Sequence, residues 1–177
     1  MSFAHIKIGQ QFPELVNVVI EIPKGSSNKY EYSEKLDCIQ LDRVLHSPFF
    51  YPTDYGFVPE TRSEDGDHLD ILVLIKHPTF SGCVLQARPV GVLDLEDEKG
   101  RDWKIIAVAE NDPYYKGVHD IDQVNLHVKN EIQHFFETYK HLEKGKKTIV
   151  RAWHPKAKAF EIIKEEHKTF ISAEKKD

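Results

Sequence analysis

The six residues Asp65-Gly66-Asp67-His68-Leu69-Asp70 carry three carboxylates, and an apolar run from Leu69 to Ile75 starts inside them, broken only by Asp70. Ionised carboxylates this close repel one another, and near a core they lose hydration. A cation among the oxygens relieves both costs, and hard divalent ions such as Mg²⁺ favour carboxylate and water oxygens. Taken alone, the segment also fits a solvated acidic turn before a strand. A second acidic cluster, Asp94, Glu96, Asp97, Glu98 and Asp102, surrounds the turn Lys99-Gly100-Arg101, with Lys104 following. Apolar or β-branched residues from Val90 to Leu95 and from Trp103 to Val108 flank it, which predicts a hairpin with carboxylates at its tip and mouth. One acidic hairpin is commonplace. Two acidic clusters, each at the edge of an apolar strand, could jointly hold several metal ions.

Cationic and phenolic residues form the complementary set. In Lys29-Tyr30-Glu31-Tyr32, strand alternation puts Lys29 and Glu31 on one face and the tyrosines on the other. Arg43 lies inside the apolar stretch Leu41 to Leu45, and Glu21 inside Val18 to Pro23. A buried charge is costly without a partner, although each of these singly fits a snorkelling side chain or an ordinary ion pair. Tyr51-Pro52-Thr53-Asp54-Tyr55-Gly56-Phe57 suits a rigid wall of phenol donors, or plain aromatic packing. The full set of carboxylates, Lys, Arg and Tyr is the chemistry needed to hold Mg²⁺ and a polyanion at once: carboxylates for metals, metals for phosphate oxygens, cations for the remaining charge.

The elements that must position these groups run strands first, helices last. Residues from about Asn17 to Val108 read as short strands separated by Gly, Pro, Asn and Ser turns. From Val124 the period changes: Val124, Val128, Ile132, Phe135, Phe136 and Tyr139 predict an amphipathic helix ending before Gly145. Thr148 to Trp153 fits one more strand. Ala157 to Phe170 reads as a second helix with Phe160, Ile163 and His167 on one face, and Ala173 to Asp177 as a frayed tail. The class is therefore α+β, mainly β.

A chain of 177 residues can bury its own core, and one domain over residues 1–177 is expected. The net charge of −5 and a pI near 6.1 argue against a nucleic-acid binder. Cys38 and Cys83 are too few for a disulfide framework and fit a reducing cytosol. No His-Glu-x-x-His pattern or Cys/His zinc spacing occurs among the ten histidines, Met1 to Gln10 has no signal-peptide core, and no apolar run approaches membrane-spanning length.

Several ordered motifs carry a resemblance: Val19-Ile20-Glu21-Ile22-Pro23, Lys29-Tyr30-Glu31, Asp42-Arg43, Phe50-Tyr51-Pro52 with Tyr55-Gly56, Asp65-Gly66-Asp67 with Leu69-Asp70, Arg88-Pro89-Val90-Gly91, Asp97-Glu98 with Asp102 and Lys104, and His134-Phe135-Phe136 through Tyr139-Lys140 to Lys146. From about Phe12 to Lys147 the chain resembles the family I (soluble) inorganic pyrophosphatases, particularly the compact bacterial kind. The resemblance implies a five-stranded, OB-like closed barrel flanked by two C-terminal helices. It also implies a cytoplasmic inorganic diphosphatase, assembled as a homo-oligomer, most commonly a hexamer of two stacked trimers, that hydrolyses pyrophosphate to two orthophosphates with several Mg²⁺ ions per site. By resemblance, Asp65, Asp70 and Asp102 bind the tightest metal, Asp70 also touches a second, and Asp97 and Asp102 hold another with Glu31 nearby. Asp67 accepts the proton of the attacking water. Lys29, Arg43, Tyr55, Lys104, Tyr139 and Lys140 hold the phosphoryl groups, with Glu21, Tyr51 and Glu98 supporting them.

Family members usually carry Pro after the second aspartate of the signature, where this chain has His68. Histidine leaves the loop more conformations than proline would. A His68 charged near pH 6.5 or below would compete with Mg²⁺, whereas a solvent-facing ring would do nothing. Two other functions compete for the same residues. Another metal-dependent phosphohydrolase, acting on nucleotides or organic phosphates, would need an apolar pocket for the organic part. A single-strand nucleic-acid module would need a basic groove with stacking aromatics, which the acidic clusters oppose. An EF-hand fails on spacing, since the fifth and sixth positions from Asp65 are Leu69 and Asp70.

Overall fold

The computed structural model describes residues 2–98 and 100–174; Lys99 of the hairpin turn and the last three residues of the expected frayed tail lie outside that range. Strands β1 (Val16–Ile22), β4 (Asp54–Val58), β5 (Leu69–Leu74), β6 (Val84–Asp97) and β7 (Gly100–Ala109) hydrogen-bond in the order β1-β4-β5-β7-β6, and β6 pairs again with β1. The five strands thus close into the OB-like ring that the resemblance implied. Closure depends on the length of β6. Its first residues pair with β1 (Val16↔Ala87), a register shift follows between Pro89 and Gly91, and the rest pairs with β7 and with β8 (Thr148–Pro155). Two close approaches require glycine. A Cβ on Gly56 would lie 2.0 Å from the Val19 carbonyl oxygen, and one on Gly91 would lie 2.8 Å from the His154 carbonyl oxygen. A separate ribbon, β2 (Asn28–Ser33) and β3 (Cys38–Val44), stands beside the ring.

Strand alternation divides the core in two. Leu72 and Leu74 of β5 and Ile106 and Val108 of β7 pack with Ile132, Phe135 and Phe136 of helix α1 (Leu126–Thr138). Their neighbours Ile71, Val73, Ile105 and Ala107 pack with Ala159, Ile162 and Ile163 of helix α2 (Lys156–Glu174). Asp70, Asp102 and Lys104 share the period of the first set, so they fall on the side that α1 covers.

Two helix boundaries differ from the periodicity. Val124 is extended (φ −72°, ψ 130°) after a short 3-10 turn, and Asn125 caps α1 by accepting the His127 N–H at 2.8 Å. At the other end Tyr139 closes the helix, and tight turns follow, with the His141 N–H reaching the Thr138 carbonyl at 3.0 Å. Helix α2 runs to Glu174 and buries Ala159, Ile162 and Ile163 more deeply than Phe160. The buried face is therefore centred one residue away from the stripe read in the sequence.

Candidate active site

A single cavity of about 920 Å³ collects the groups singled out in the sequence. Its floor is β5 beside β7, a parallel pair with Ile71 opposite Ile105. One residue earlier on each strand stand Asp70 and Lys104, and Asp102 lies two residues before Lys104 on the same face. The Lys104 side chain is buried, 6% exposed as a residue, and its ammonium donates to both Asp70 and Asp102, the latter at 2.6 Å. Burial works against that ammonium, but the Asp102 and Asp70 charges outweigh it and hold Lys104 protonated far above its ordinary range. Asp102 is pushed up by burial, drawn back by Lys104, and raised again by Asp70.

The loop between β4 and β5 brings in Asp65 and Asp67. It is closed by its own main chain: the Ser63 N–H donates to the Asp67 carbonyl at 2.8 Å, the Gly66 N–H to the Ser63 carbonyl at 3.0 Å, and the Asp67 N–H to Asp65 Oδ1 at 3.1 Å. Opposite stands the β2–β3 ribbon, where Lys29 pairs with Arg43 across the strands. Lys29 Nζ meets Glu31 and lies 3.6 Å from Asp42, while Arg43 holds Asp42 and reaches Glu143 at 3.3 Å. From the hairpin tip come Asp97 and Glu98. Lys140, just past α1, donates to Asp97 at 3.1 Å, and Lys146 lies 3.6 Å from Glu98. Tyr51, Tyr55 and Tyr139 complete the wall; burial raises all three phenols, so they stay neutral donors.

Glu21 of β1 is 8% exposed and accepts the Tyr32 N–H at 2.6 Å. Burial, then the Asp70 charge, pushes its carboxyl from 4.5 up to about 8. A carboxyl raised in the fold keeps a proton that the unfolded chain has lost, so stability falls as pH rises from about 4.5 through about 8. In EDTA, Glu21→Gln should therefore raise the unfolding free energy at pH 8 by on the order of 2 kcal/mol, with little gain at pH 4. Denaturant melts at the two pH values test this; a gain confined to pH 4 would contradict the burial of an ionisable Glu21.

Every residue assigned from the sequence lines this cavity, but not every residue of the acidic clusters does. Asp94 turns the other way, held by Arg101 at 2.6 and 3.0 Å and by His154 at 3.4 Å, and Glu96 pairs with Arg151. Strand alternation sends 94 and 96 away from the cavity while 97 faces it. His68 corrects both expectations for it. It is neither solvent-facing nor charged near neutrality. Its ring stacks on Phe57 at 4.8 Å, Nδ1 lies 2.9 Å from the Thr61 carbonyl, Nε2 lies 3.0 Å from Glu34, and burial pulls its pKa below 6.5. A proline there would remove that stack and both contacts. Glu34, Asp42, Arg62, Ser63 and Glu166 also line the cavity, and sequence reasoning gave none of them a role at the site.

The donor set fits a hard divalent ion. Asp65, Asp70, Asp97 and Asp102 offer only carboxylate oxygen, and carboxylates outnumber Lys and Arg along the wall. Among the described residues no three such ligands converge as a ready-made cage. Instead an ammonium stands where Asp70 and Asp102 demand positive charge.

Known proteins resemble the chain over most of its length. The family described as inorganic pyrophosphatase matches residues 18–171, well past Lys147 and through most of α2. An inorganic pyrophosphatase of Methanosarcina acetivorans is 48% identical over 92% of this chain and 96% of its own, and one of Thermus thermophilus is 50% identical over 90% and 92%. The crystal structure of inorganic pyrophosphatase from Thermus thermophilus superposes with a TM-score of 0.93 at 47% identity, covering 96% of this chain and 99% of that one.

Proposed function

The chain belongs to the inorganic pyrophosphatase family, enzymes that hydrolyse pyrophosphate, and we propose that its hydrolysis is Mg²⁺-dependent and runs through the cavity between β5, β7 and the β2–β3 ribbon. Asp65, Asp70 and Asp102 would hold one ion, Asp70 a share of a second, and Asp97 with Asp102 a further one, with Glu31 at hand. Bound there, the ions would screen the phosphoryl oxygens and lower the pKa of a water from ~16 towards neutrality. Asp67 takes the proton of the attacking water. Lys29, Arg43, Lys104 and Lys140 neutralise phosphoryl oxygens, and Tyr55 and Tyr139, kept neutral by burial, donate hydrogen bonds to them. Glu21, Tyr51 and Glu98 support these groups from behind.

The observation that carries this reading is the Lys104 ammonium between Asp70 and Asp102. A site built to surround positive charge with carboxylates, and then rimmed with cations, matches a metal–polyanion complex rather than either alone. The test is orthophosphate release from pyrophosphate with Mg²⁺, with EDTA, and from ATP in place of pyrophosphate. Activity on pyrophosphate that EDTA abolishes is expected; activity on ATP but not on pyrophosphate would overturn the reading.

The assembly proposed is a homo-oligomer, a hexamer. Large apolar side chains left in solvent support it, among them Phe80 (65% exposed), Tyr114 (68%) and Leu126 (68%). Light scattering at micromolar protein should give a mass well above the 20.5 kDa of one chain; a monomer mass would refute it. The free thiols of Cys38 and Cys83 support a reducing compartment, the cytoplasm.

A further inference from the structure

Helix α2 is absent from the chemistry above, yet its Glu165 and Glu166 line the cavity, and Glu166 is bonded to the loop that carries Asp65 and Asp67. Glu166 Oε2 accepts the Ser63 hydroxyl at 2.5 Å, and the Glu166 carbonyl accepts the Arg62 N–H at 3.1 Å. Nearby contacts join the same two segments. His167 Nδ1 lies 2.6 Å from the Glu60 carbonyl, and the Arg62 guanidinium stands 5.7 Å over the Phe170 ring. Arg62 also donates to the Gly66 carbonyl at 2.6 Å and to Glu34 at 2.9 Å.

Ser63 is where these contacts matter. Its N–H holds the Asp67 carbonyl and its carbonyl holds the Gly66 N–H, so the turn bearing Asp65 and Asp67 is built on the Ser63 peptide. That turn is otherwise exposed: residues 64–67 all face solvent. An exposed turn of Glu, Asp, Gly and Asp has little packing to fix it. The hydroxyl donates at 2.5 Å to a half-buried carboxyl oxygen, and this bond ties the turn to a helix anchored in the core by Ala159, Ile162 and Ile163.

We propose that Glu166 is a positioning residue for pyrophosphate hydrolysis, latching Ser63 so that Asp65 and Asp67 are held at the cavity mouth before metal or substrate arrives. The inference rests on the roles proposed for those two aspartates. In this role Glu166 acts through Ser63, as neither metal ligand nor base. Misplacing a catalytic group by about 1 Å can cost up to 10²-fold, and a loosened turn that still visits its proper place costs less.

Glu166→Ala should lower kcat about tenfold with KM within about twofold. Ser63→Ala, which leaves α2 untouched, should do the same, and the double variant should be no slower than the slower single one, because both remove one bond. Glu166→Gln keeps an acceptor for the hydroxyl and should stay within about threefold of the parent. Hydrogen exchange in the metal-free protein supplies the readout independent of turnover: in Glu166→Ala the Ser63, Gly66 and Asp67 amides should exchange faster, with the β5 and β7 amides unchanged. Normal turnover in Glu166→Ala, effects that multiply in the double variant, no rescue by Gln, or faster exchange throughout the chain would each overturn the latch. Asp67→Asn run alongside separates the two levels. If it is inactive while Glu166→Ala is normal, the latch alone fails; if it is active, the assignment of Asp67 fails.

Discussion

Replacing Asp67 by Asn should lower turnover at neutral pH by roughly 10²–10⁴-fold, the usual worth of a positioned acid or base, which is about 3–5 kcal/mol of barrier. The substitution is close to isosteric, and two main-chain bonds of Asp67 help to hold the turn. The main-chain N–H of Asp67 bonds Asp65 Oδ1 and its carbonyl accepts from Ser63. Both bonds belong to the backbone, so both survive the change. What is lost is the ability to accept a proton. Mg²⁺ affinity should therefore fall much less than in Asp70→Asn, because Asp70 stands in the charged cluster with Lys104 and Asp102. Steady-state rates and Mg²⁺ titrations of the two variants separate the roles. Near-normal turnover in Asp67→Asn would remove Asp67 from the chemistry.

Much of this site is legible because charge placed in an apolar strand is conspicuous. Asp70 interrupting Leu69 to Ile75, and Arg43 within Leu41 to Leu45, announce themselves against hydrophobic neighbours. Strand alternation then orders them, and it is reliable wherever a strand is regular: Asp102 and Lys104 share a face of β7, as spacing requires. Alternation puts Asp94 and Asp97 on opposite faces, so grouping them by closeness in the sequence joins a cavity residue to one that bonds Arg101 and His154 on the other side.

The groups that escape a reading of the sequence are joined across the chain. Ser63 and Glu166 are 103 residues apart, and Arg43 and Glu143 are 100 apart. Helical period can assign Glu166 to the face of Ala159, Ile162 and Ile163, but not the loop that this face meets. His68 is the same case. Its ring is placed by Phe57 of β4, Tyr32 of β2 and Phe170 of α2, three elements whose convergence is a property of the closed ring and its helices. Judged from its acidic neighbours alone, it looks like a charged residue in a loop.

Lys104→Met tests whether the cation position on the floor of the cavity is electrostatic in origin. Methionine matches the length of the aliphatic stem and packs adaptably, so the change removes the ammonium with little loss of volume. In EDTA it leaves Asp70 and Asp102 facing each other without their shared partner, and breaking a buried pair from one side typically costs ~3–5 kcal/mol. Both carboxylates keep about a third of their side-chain surface in solvent (28% and 33%). That screening puts the expected loss of unfolding free energy at the low end, about 3 kcal/mol. Lys104 also competes for the oxygens that a metal needs. Without it Mg²⁺ should bind more tightly in the absence of substrate, so adding Mg²⁺ should raise the melting temperature of the variant more than that of the parent. Turnover should nevertheless fall, because the phosphoryl oxygens lose a cation that the proposed site supplies. A variant as stable as the parent in EDTA, or one that gains no more from Mg²⁺, would mean that Lys104 is held by packing over the Tyr55 ring, 5.8 Å away, rather than by the carboxylates it bridges.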